Sequence, residues 1–112
     1  MTEDNNKGKK NDTGKNMIAC IEPIFWKELG KVFTHGLKKY DLDNWKKFDP
    51  LNNREEDVRL KSALLRHLTA AFEGEIYDPD ALKEGDKIIH WAQVAFYCHL
   101  YLSNLKDCGR LD

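Results

Sequence analysis

Residues 87–105, KIIHWAQVAFYCHLYLSNL, are apolar around most of the circumference of the helix that their spacing predicts. A helix of this kind is buried on most of its sides. His90, Gln93, His99 and Ser103 interrupt the run, so it does not predict a membrane span. Its apolar members are Ile88, Ile89, Trp91, Ala92, Val94, Ala95, Phe96, Leu100, Leu102 and Leu105. The stretch therefore predicts the central helix of a helical domain.

Two further helices are predicted before this stretch. Apolar residues recur at helical spacing between positions 21 and 33, and Pro23 suits a first turn. Asn53 and Glu56 have the spacing of a capping box and begin a second amphipathic helix. No convincing strand pattern appears, so the expected fold class is all-α. The predicted helices span about 22–38, 53–76 and 87–105, with loops at 40–53 and at 78–86, the latter with at most one helical turn.

A chain of 112 residues is one domain at most. Residues 1–16 contain no aliphatic or aromatic residue beyond the initiator Met and predict a disordered polar tail. Residues 17–112 then form a single helical domain. Three helices in so short a chain cannot enclose the apolar third helix. We therefore expect a small helical bundle of three main helices that is completed by homodimerisation.

Composition excludes several classes of protein. A net charge of −1 with 33% charged residues argues against nonspecific nucleic-acid binding, so no nucleic-acid partner is expected. Cys20, Cys98 and Cys108 are odd in number and lack CxxC spacing, which favours reduced thiols in a cytoplasmic protein. No apolar segment follows the polar head, so no signal peptide and no membrane partner are expected.

Ionisable residues form one polar stripe on each of the last two predicted helices. If the two stripes face each other, His67, Glu75, Asp78 and His90 form a mixed imidazole and carboxylate cluster. Carboxylates suit Mg²⁺ or Mn²⁺, and imidazoles shift the preference toward Mn²⁺, Co²⁺ or Zn²⁺. The alternative is a solvated helix end and a hydrogen-bonded junction histidine. The stripes are His67, Ala71, Gly74, Glu75 and Asp78 on one helix, and His90, Gln93, Tyr97, Tyr101 and Asn104 on the other.

Arg59 and Arg66 lie seven residues apart on the second predicted helix and share a face. They could clamp a phosphate bidentately, or they could be solvated residues without a role. His35 and His99 have no acidic neighbours in the predicted arrangement, and we interpret them as structural. The sequence contains no Walker loop, no GxSxG, no HExxH and no CxxC pair. The chemistry that remains is that of metal and phosphate.

Four pieces of the chain together carry a family resemblance. They are DTGK at 12–15, IEPIFWKELGKVFTHGLKKYDLDNW at 21–45, ALLRHLTAAFEGEIYD at 63–78 and HWAQVAFYCHLYLSNL at 90–105. With these pieces, residues 12–105 resemble the phage-associated dATP/dGTP diphosphohydrolase N-terminal domain family, which is linked to the MazG-like all-α nucleotide pyrophosphatases. The ordered combination of KKY, NW, RHL, GE, D and H makes the resemblance fairly specific.

The resemblance implies an all-α oligomer that hydrolyses a purine (deoxy)nucleoside triphosphate to monophosphate and pyrophosphate with Mg²⁺ or Mn²⁺. His67, Glu75 and His90 then become candidate catalytic residues, and the same three with Asp78 become candidate metal ligands. The location would be the cytoplasm, that of the host cell if the protein is phage-encoded. The candidate nucleotide-binding residues are Lys39, Tyr40, Asn44, Trp45, Arg59 and Arg66.

Within this resemblance, the loop at 36–45 becomes a candidate clamp for base and phosphate. Tyr40 and Trp45 offer stacking faces, Lys39 offers a charge, and Asn44 offers an amide that can contact a base edge. Loop aromatics of this kind can equally fill the core.

The chain departs from the family pattern at two positions. After His90 the family often shows a second His and then an Asn, where this chain has Gln93 and Tyr97. This departure supports an alternative function, in which a phage protein sequesters a nucleotide immune signal and does not cleave it. A third possibility is a purely structural interaction protein.

Overall fold

The computed structural model of the chain describes residues 16–111, and this part is all-helical. Three longer helices overlap the predicted spans, with ends that differ by a few residues, and the segment at 78–86 holds a single short helix. Most of the predicted polar tail lies outside the described residues. The α-helices are α1 (Pro23–Gly36), α2 (Arg54–Phe72), α3 (Pro79–Lys83) and α4 (His90–Asp107), and 3-10 turns occur at Ile18–Cys20, Asn44–Lys47 and Pro50–Asn52.

The α2 helix begins as predicted and ends earlier than predicted. The Asn53 side chain accepts a hydrogen bond from the backbone N–H of Glu56 at 3.0 Å, which confirms the N-cap. The helix stops at Phe72 and does not continue to residue 76. Gly74 has φ +92°, a left-handed conformation that suits glycine and turns the chain away from the helix axis.

The start of α4 also differs from expectation. The sequence predicts a helix that begins at residue 87, but the helix begins at His90 and Ile89 is its N-cap. The Asp86 carboxylate, just before the predicted start, lies 2.6 Å from Nδ1 of His35 and 2.6 Å from Nζ of Lys38. The prediction that His35 has no acidic neighbour is therefore wrong. This ion pair fixes the end of α1 against the turn before α4.

The core is thin and lies where α4 packs against α1 and α2. Phe33 of α1 and Phe96 of α4 meet edge to face with ring centroids 5.1 Å apart. Among residues 16–111 no helix is both long enough and apolar enough to cross a membrane. Apart from Pro50, the buried apolar residues of the described part are Leu60, Ala81, Ile88, Ala92 and Leu100.

Buried Asn104 ties the loop before α2 to the end of α4. Its Oδ1 accepts a hydrogen bond from the backbone N–H of Leu51 at 3.0 Å, and its Nδ2 donates to Asp49 at 2.9 Å. Hydrogen bonds from Asn104 and then Asn52 hold the pKa of the Asp49 carboxyl below its usual value. One amide side chain thus satisfies both a backbone donor and a carboxylate.

Replacing Asn104 with Ala is expected to lower the free energy of unfolding by about 1–3 kcal/mol, because the part-buried backbone N–H of Leu51 and the Asp49 carboxylate both lose a partner. Urea denaturation at neutral pH measures this. Lys106→Ala, at a 71% exposed side chain of the same helix, is the control and should change stability by no more than about 0.5 kcal/mol. Equal effects in the two variants would show that the Asn104 tie is not stabilising.

The hydrogen bond between Tyr101 and Asp57 predicts a pH-dependent stability. The Tyr101 hydroxyl donates to Asp57 at 2.6 Å, and this bond is the main reason that the pKa of Asp57 lies below 3.8. A carboxyl whose pKa is lower in the folded state stabilises the fold above its unfolded pKa, and this contribution disappears as the pH falls through the folded pKa.

The destabilisation caused by Tyr101→Phe should therefore be largest at neutral pH and should shrink below about pH 4. Denaturation at a series of pH values measures it. Tyr77→Phe is the control, because its hydroxyl makes no hydrogen bond to another described residue. A Tyr101→Phe effect that does not vary with pH would contradict this prediction.

Candidate functional site

The turn after α2 brings two separated segments side by side. Residues 75–78 and 88–90 run antiparallel and meet in one isolated β-bridge between Tyr77 and Ile89. Backbone hydrogen bonds flank the bridge: Asp78 N donates to Ile88 O at 2.8 Å, and His90 N donates to Ile76 O at 2.9 Å. The bridge therefore places the first residue of α4 beside the segment that follows α2.

His90 is the centre of a three-residue hydrogen-bonded chain. Its Nε2 lies 2.7 Å from a carboxylate oxygen of Glu75, and its Nδ1 lies 2.9 Å from Nδ1 of His67. His90 is only 4% exposed, whereas the Glu75 side chain is 50% exposed. The chain thus runs from a half-exposed carboxylate through a buried imidazole to a half-buried one.

The hydrogen bonds of these groups define one proton arrangement when both imidazoles are neutral. A carboxylate accepts at its oxygens, so a neutral His90 then carries its proton on Nε2 and accepts at Nδ1. In that arrangement His67 donates from its own Nδ1, which leaves its Nε2 unprotonated. Burial lowers the pKa of His67, and the neighbouring Asp78 charge opposes this effect. His67 therefore presents a neutral imidazole with a free lone pair, which can bind a metal or accept a proton.

Asp78 is held beside this chain and is bonded to α4. One of its oxygens accepts from the backbone N–H of Asp80 at 3.0 Å, which caps α3. The other accepts from Nε2 of Gln93 at 2.5 Å. Both carboxylate oxygens are thus oriented by a donor, and each retains further lone pairs.

A cavity of about 500 Å³ lies beside the cluster. The predicted loop forms one wall with Tyr40, Asn44 and Trp45, and α4 forms another with Gln93 and Tyr97. Aromatic and aliphatic side chains of α1, α2 and α4 complete the lining. A largely apolar cavity with a few polar groups is the usual form of a small-molecule site.

Gln93 and Tyr97 belong to both the cavity and the polar cluster. Gln93 bonds to Asp78, and the Tyr97 ring is stacked on His67 with centroids 6.2 Å apart and an interplanar angle of 23°. Burial raises the pKa of the Tyr97 phenol. One ligand could therefore occupy the cavity and reach the His67 cluster across these two side chains.

The structure brings together most of the predicted site residues. His67, Glu75 and His90 are directly bonded, and Asp78 is close enough for its charge to influence His67. The proximity does not come from a continuous helical stripe, because α2 ends before Glu75. The β-bridge at Tyr77 produces it instead.

The predicted nucleotide-binding residues are divided. Tyr40, Asn44 and Trp45 line the cavity. Lys39 is not part of the lining, and its Nζ lies 3.6 Å from a carboxylate oxygen of Glu84. The remaining two residues, Arg59 and Arg66, are exposed and make no hydrogen bond or ion pair to another described residue. Of these two, only Arg66 is near enough to influence the pKa of His67.

Trp45 has a packing role as well as a place in the lining. Its ring lies 6.0 Å from Phe33 and 4.7 Å from His99, measured between centroids. Both interpretations of the loop aromatics, as clamp and as core filling, therefore apply to this residue.

A divalent cation fits the cluster in part. His90 uses both ring nitrogens in hydrogen bonds, and within residues 16–111 no three His, Cys, Asp or Glu side chains converge as a ready metal site. Glu75 and Asp78 nevertheless keep oxygen lone pairs. Mg²⁺ is commonly held by one or two carboxylates together with waters and substrate phosphates, and this donor set is compatible with that mode.

Sequence reasoning missed the part that Gln93 and Tyr97 play in joining the two halves of the site. Their spacing of four residues on a helix placed them on one face with His90. That spacing predicts the face of the helix on which they lie. Their contacts with Asp78 and His67 could not be predicted, because these contacts depend on the turn after α2.

Comparison with known proteins identifies one family. The sequence model of one family, described as dATP/dGTP diphosphohydrolase, N-terminal, matches residues 5–111. No curated protein and no solved structure matches the chain. Because the match covers nearly the whole chain, the protein belongs to the dATP/dGTP diphosphohydrolase N-terminal domain family.

Proposed function

We propose that the protein hydrolyses a purine (deoxy)nucleoside triphosphate to a monophosphate and pyrophosphate in a metal-dependent reaction. The observation that supports this most is the Glu75, His90 and His67 chain, because it leaves a neutral base at Nε2 of His67. The adjoining cavity supplies a place for a base, and the family description names a purine nucleotide activity.

The base of the nucleotide would occupy the cavity. Tyr40 and Trp45 offer aromatic faces for stacking, and Asn44 offers an amide for the base edge. Exposed Arg66, with Lys39 and Arg59 further out, supplies positive charge for the phosphates. Lys39 must exchange its Glu84 partner for a phosphate to take this part.

The chemical step uses His67 as a general base. A water attacks the α-phosphorus, its proton passes to Nε2 of His67, and the bond between the α-phosphorus and the bridging oxygen of pyrophosphate breaks. Glu75 and His90 hold the His67 ring in the tautomer that can accept this proton. Arg66 stabilises the charge that develops on the phosphate oxygens.

Glu75 and Asp78 are the residues that would hold a divalent cation, Mg²⁺ or Mn²⁺, together with phosphate oxygens. Such a cation supplies Lewis-acid stabilisation of negative charge on the phosphate. His67 and His90 also remain predicted ligands. The two hydrogen bonds of His90 favour a positioning role for it in preference to ligation.

A second function, nucleotide sequestration without cleavage, is favoured by one observation. Gln93 bonds to the Asp78 carboxylate, and the ring of Tyr97 is stacked on one face of His67. If these contacts persist with ligand bound, the aromatic and basic groups would still hold a nucleotide while the cluster could not reach the phosphates.

A nucleotide panel incubated with purified protein and Mg²⁺ or Mn²⁺ tests the two functions, with chromatography of the products. We expect monophosphate and pyrophosphate to appear. Glu75→Gln should lower the hydrolysis rate by roughly 10²–10⁴-fold without changing stability much, because it removes the carboxylate that orients His90 while keeping the side-chain volume.

Glu73→Gln is the matched control, because this neighbouring exposed carboxylate has no hydrogen-bond or ion-pair partner among the described residues. Equal turnover in Glu75→Gln and the wild type would rule out the assigned role of Glu75. If intact nucleotide is recovered from the denatured wild-type complex, the protein sequesters the nucleotide and does not hydrolyse it. If the protein neither hydrolyses nor binds a nucleotide, only the role of a structural interaction protein is left.

We also propose that the protein is a homodimer that covers the apolar faces of α2 and α4. Phe72 and Trp91 pack together with centroids 5.7 Å apart, yet they are 72% and 53% exposed. Leu65 and Leu102, on the same two helices, are 56% and 58% exposed. So much exposed apolar area beside so thin a core favours association.

Light scattering at micromolar concentration should give twice the chain mass of 13.1 kDa, and the melting temperature should rise with concentration. Leu102→Lys should weaken association, because it introduces a charge into the proposed interface. Ile18→Lys, at a 61% exposed position outside α2 and α4, is the control. A monomeric wild type at these concentrations would contradict the dimer.

A further inference from the structure

We infer that Gln93 selects the base of the nucleotide and that its selection favours a 6-aminopurine over a 6-oxopurine. The inference rests on the proposed function in one respect, that a purine nucleotide occupies the cavity. It names the substrate class more narrowly and assigns the choice to one residue of the cavity wall.

The Gln93 amide has a fixed orientation. An amide side chain can usually flip, which exchanges its oxygen and its nitrogen, because the two atoms occupy similar positions. Here Nε2 donates to the Asp78 carboxylate at 2.5 Å, and an ionised carboxylate accepts hydrogen bonds only. The same carboxylate is itself oriented by the backbone N–H of Asp80. Flipping the amide would place Oε1 of Gln93 against the carboxylate oxygen of Asp78, and two acceptors repel each other. The hydrogen bond to Asp78 therefore fixes the orientation of the amide.

The fixed amide leaves its oxygen for a ligand. Gln93 lines the cavity, and its Oε1 has no hydrogen-bond partner among the described residues. Within residues 16–111 the one fully buried side-chain nitrogen or oxygen without a partner is Nδ1 of His99, so Oε1 of Gln93 is accessible. Because Gln93 lines the cavity, we take this free oxygen to be the acceptor that a ligand in the cavity would meet.

A group that can accept but not donate a hydrogen bond, such as Oε1 of Gln93, distinguishes 6-aminopurines from 6-oxopurines. Adenine carries an amine at position 6, which donates, whereas guanine and hypoxanthine carry an oxygen there, which accepts. In one and the same pose, the 6-amine would bond to Oε1 of Gln93, and a 6-oxygen would be repelled by it. Discrimination of roughly tenfold or more is expected from such a contact.

Asn44 on the opposite wall cannot make this distinction alone. Its side chain has no hydrogen bond to another described residue, so nothing there fixes which end of its amide faces the cavity. A free amide can offer its oxygen to an amine or its nitrogen to a carbonyl. The structure therefore assigns base contact to both amides and base selection to Gln93.

The test is nucleotide binding measured by calorimetry in EDTA, so that no hydrolysis occurs. The probes are dATP, dGTP, dITP and the triphosphate of deoxypurine riboside, which lacks the 6-amine. The wild type should bind dATP about tenfold or more tightly than the other three. Gln93→Leu should bring the four dissociation constants to within about twofold of one another.

Asp78→Ala is the second variant, because Asp78 acts through Gln93 as a positioning residue. Without the carboxylate, the amide of Gln93 can flip and offer its nitrogen as a donor. The variant should therefore bind dITP and dGTP more tightly relative to dATP, although Gln93 is still present. A merely structural role of Asp78 would weaken all four nucleotides together and leave their ratio unchanged. Circular dichroism of each variant checks that the helices are retained.

Three outcomes would overturn the inference: a wild type that binds all four nucleotides equally or prefers a 6-oxopurine, a Gln93→Leu variant that keeps the wild-type ratio, or no binding at all. Loss of the ratio in Asn44→Leu, with Gln93→Leu unchanged, would transfer selection to Asn44. Hydrolysis is measured separately with a divalent cation. Selective binding without hydrolysis supports the role of Gln93 and contradicts the enzymatic proposal. Hydrolysis without selectivity supports the enzymatic proposal and contradicts the role of Gln93.

Discussion

Burial of His90 with both ring nitrogens bonded is the constraint on which the site depends. The residue is 4% exposed and begins α4, so an unpaired ring nitrogen there would carry a large desolvation cost. Glu75 and His67 satisfy the two nitrogens and in doing so join three parts of the chain. When both imidazoles are neutral, the Glu75 carboxylate, which accepts at its oxygens, sets the direction of the two hydrogen bonds in this junction.

The same rule operates a second time on the other side of the junction. Asp78 accepts from Gln93 and fixes that amide, as Glu75 fixes the ring of His90. In both places a carboxylate on the segment after α2 orients an α4 side chain: Glu75 orients His90, which in turn holds His67, and Asp78 orients Gln93. The cluster and the cavity are thus linked through α4, and a ligand that touched one would contact the walls of the other at Tyr97.

The thin core explains why the ends of the elements are tied by polar contacts. Few apolar residues of the described part are buried, and none of its large side chains is fully enclosed. Asn104 holds the loop before α2, and Asp86 holds the end of α1 through His35 and Lys38. A fold with so little buried apolar area gains from association, which would cover the exposed face that includes Phe72 and Trp91.

The sequence by itself determined the all-α class, the positions of the three main helices and the polar line of α4, because apolar periodicity and the Asn53 cap are local signals. It also identified the residues of the cluster, but for an incomplete reason, since a continuous helix to residue 76 does not exist. Only the tertiary structure decided how Glu75 reaches His90, because a left-handed Gly74 and a β-bridge between distant residues have no periodic signature. The pairing of Gln93 with Asp78 depends on the same turn, so the character of the cavity wall was likewise beyond the reach of spacing alone.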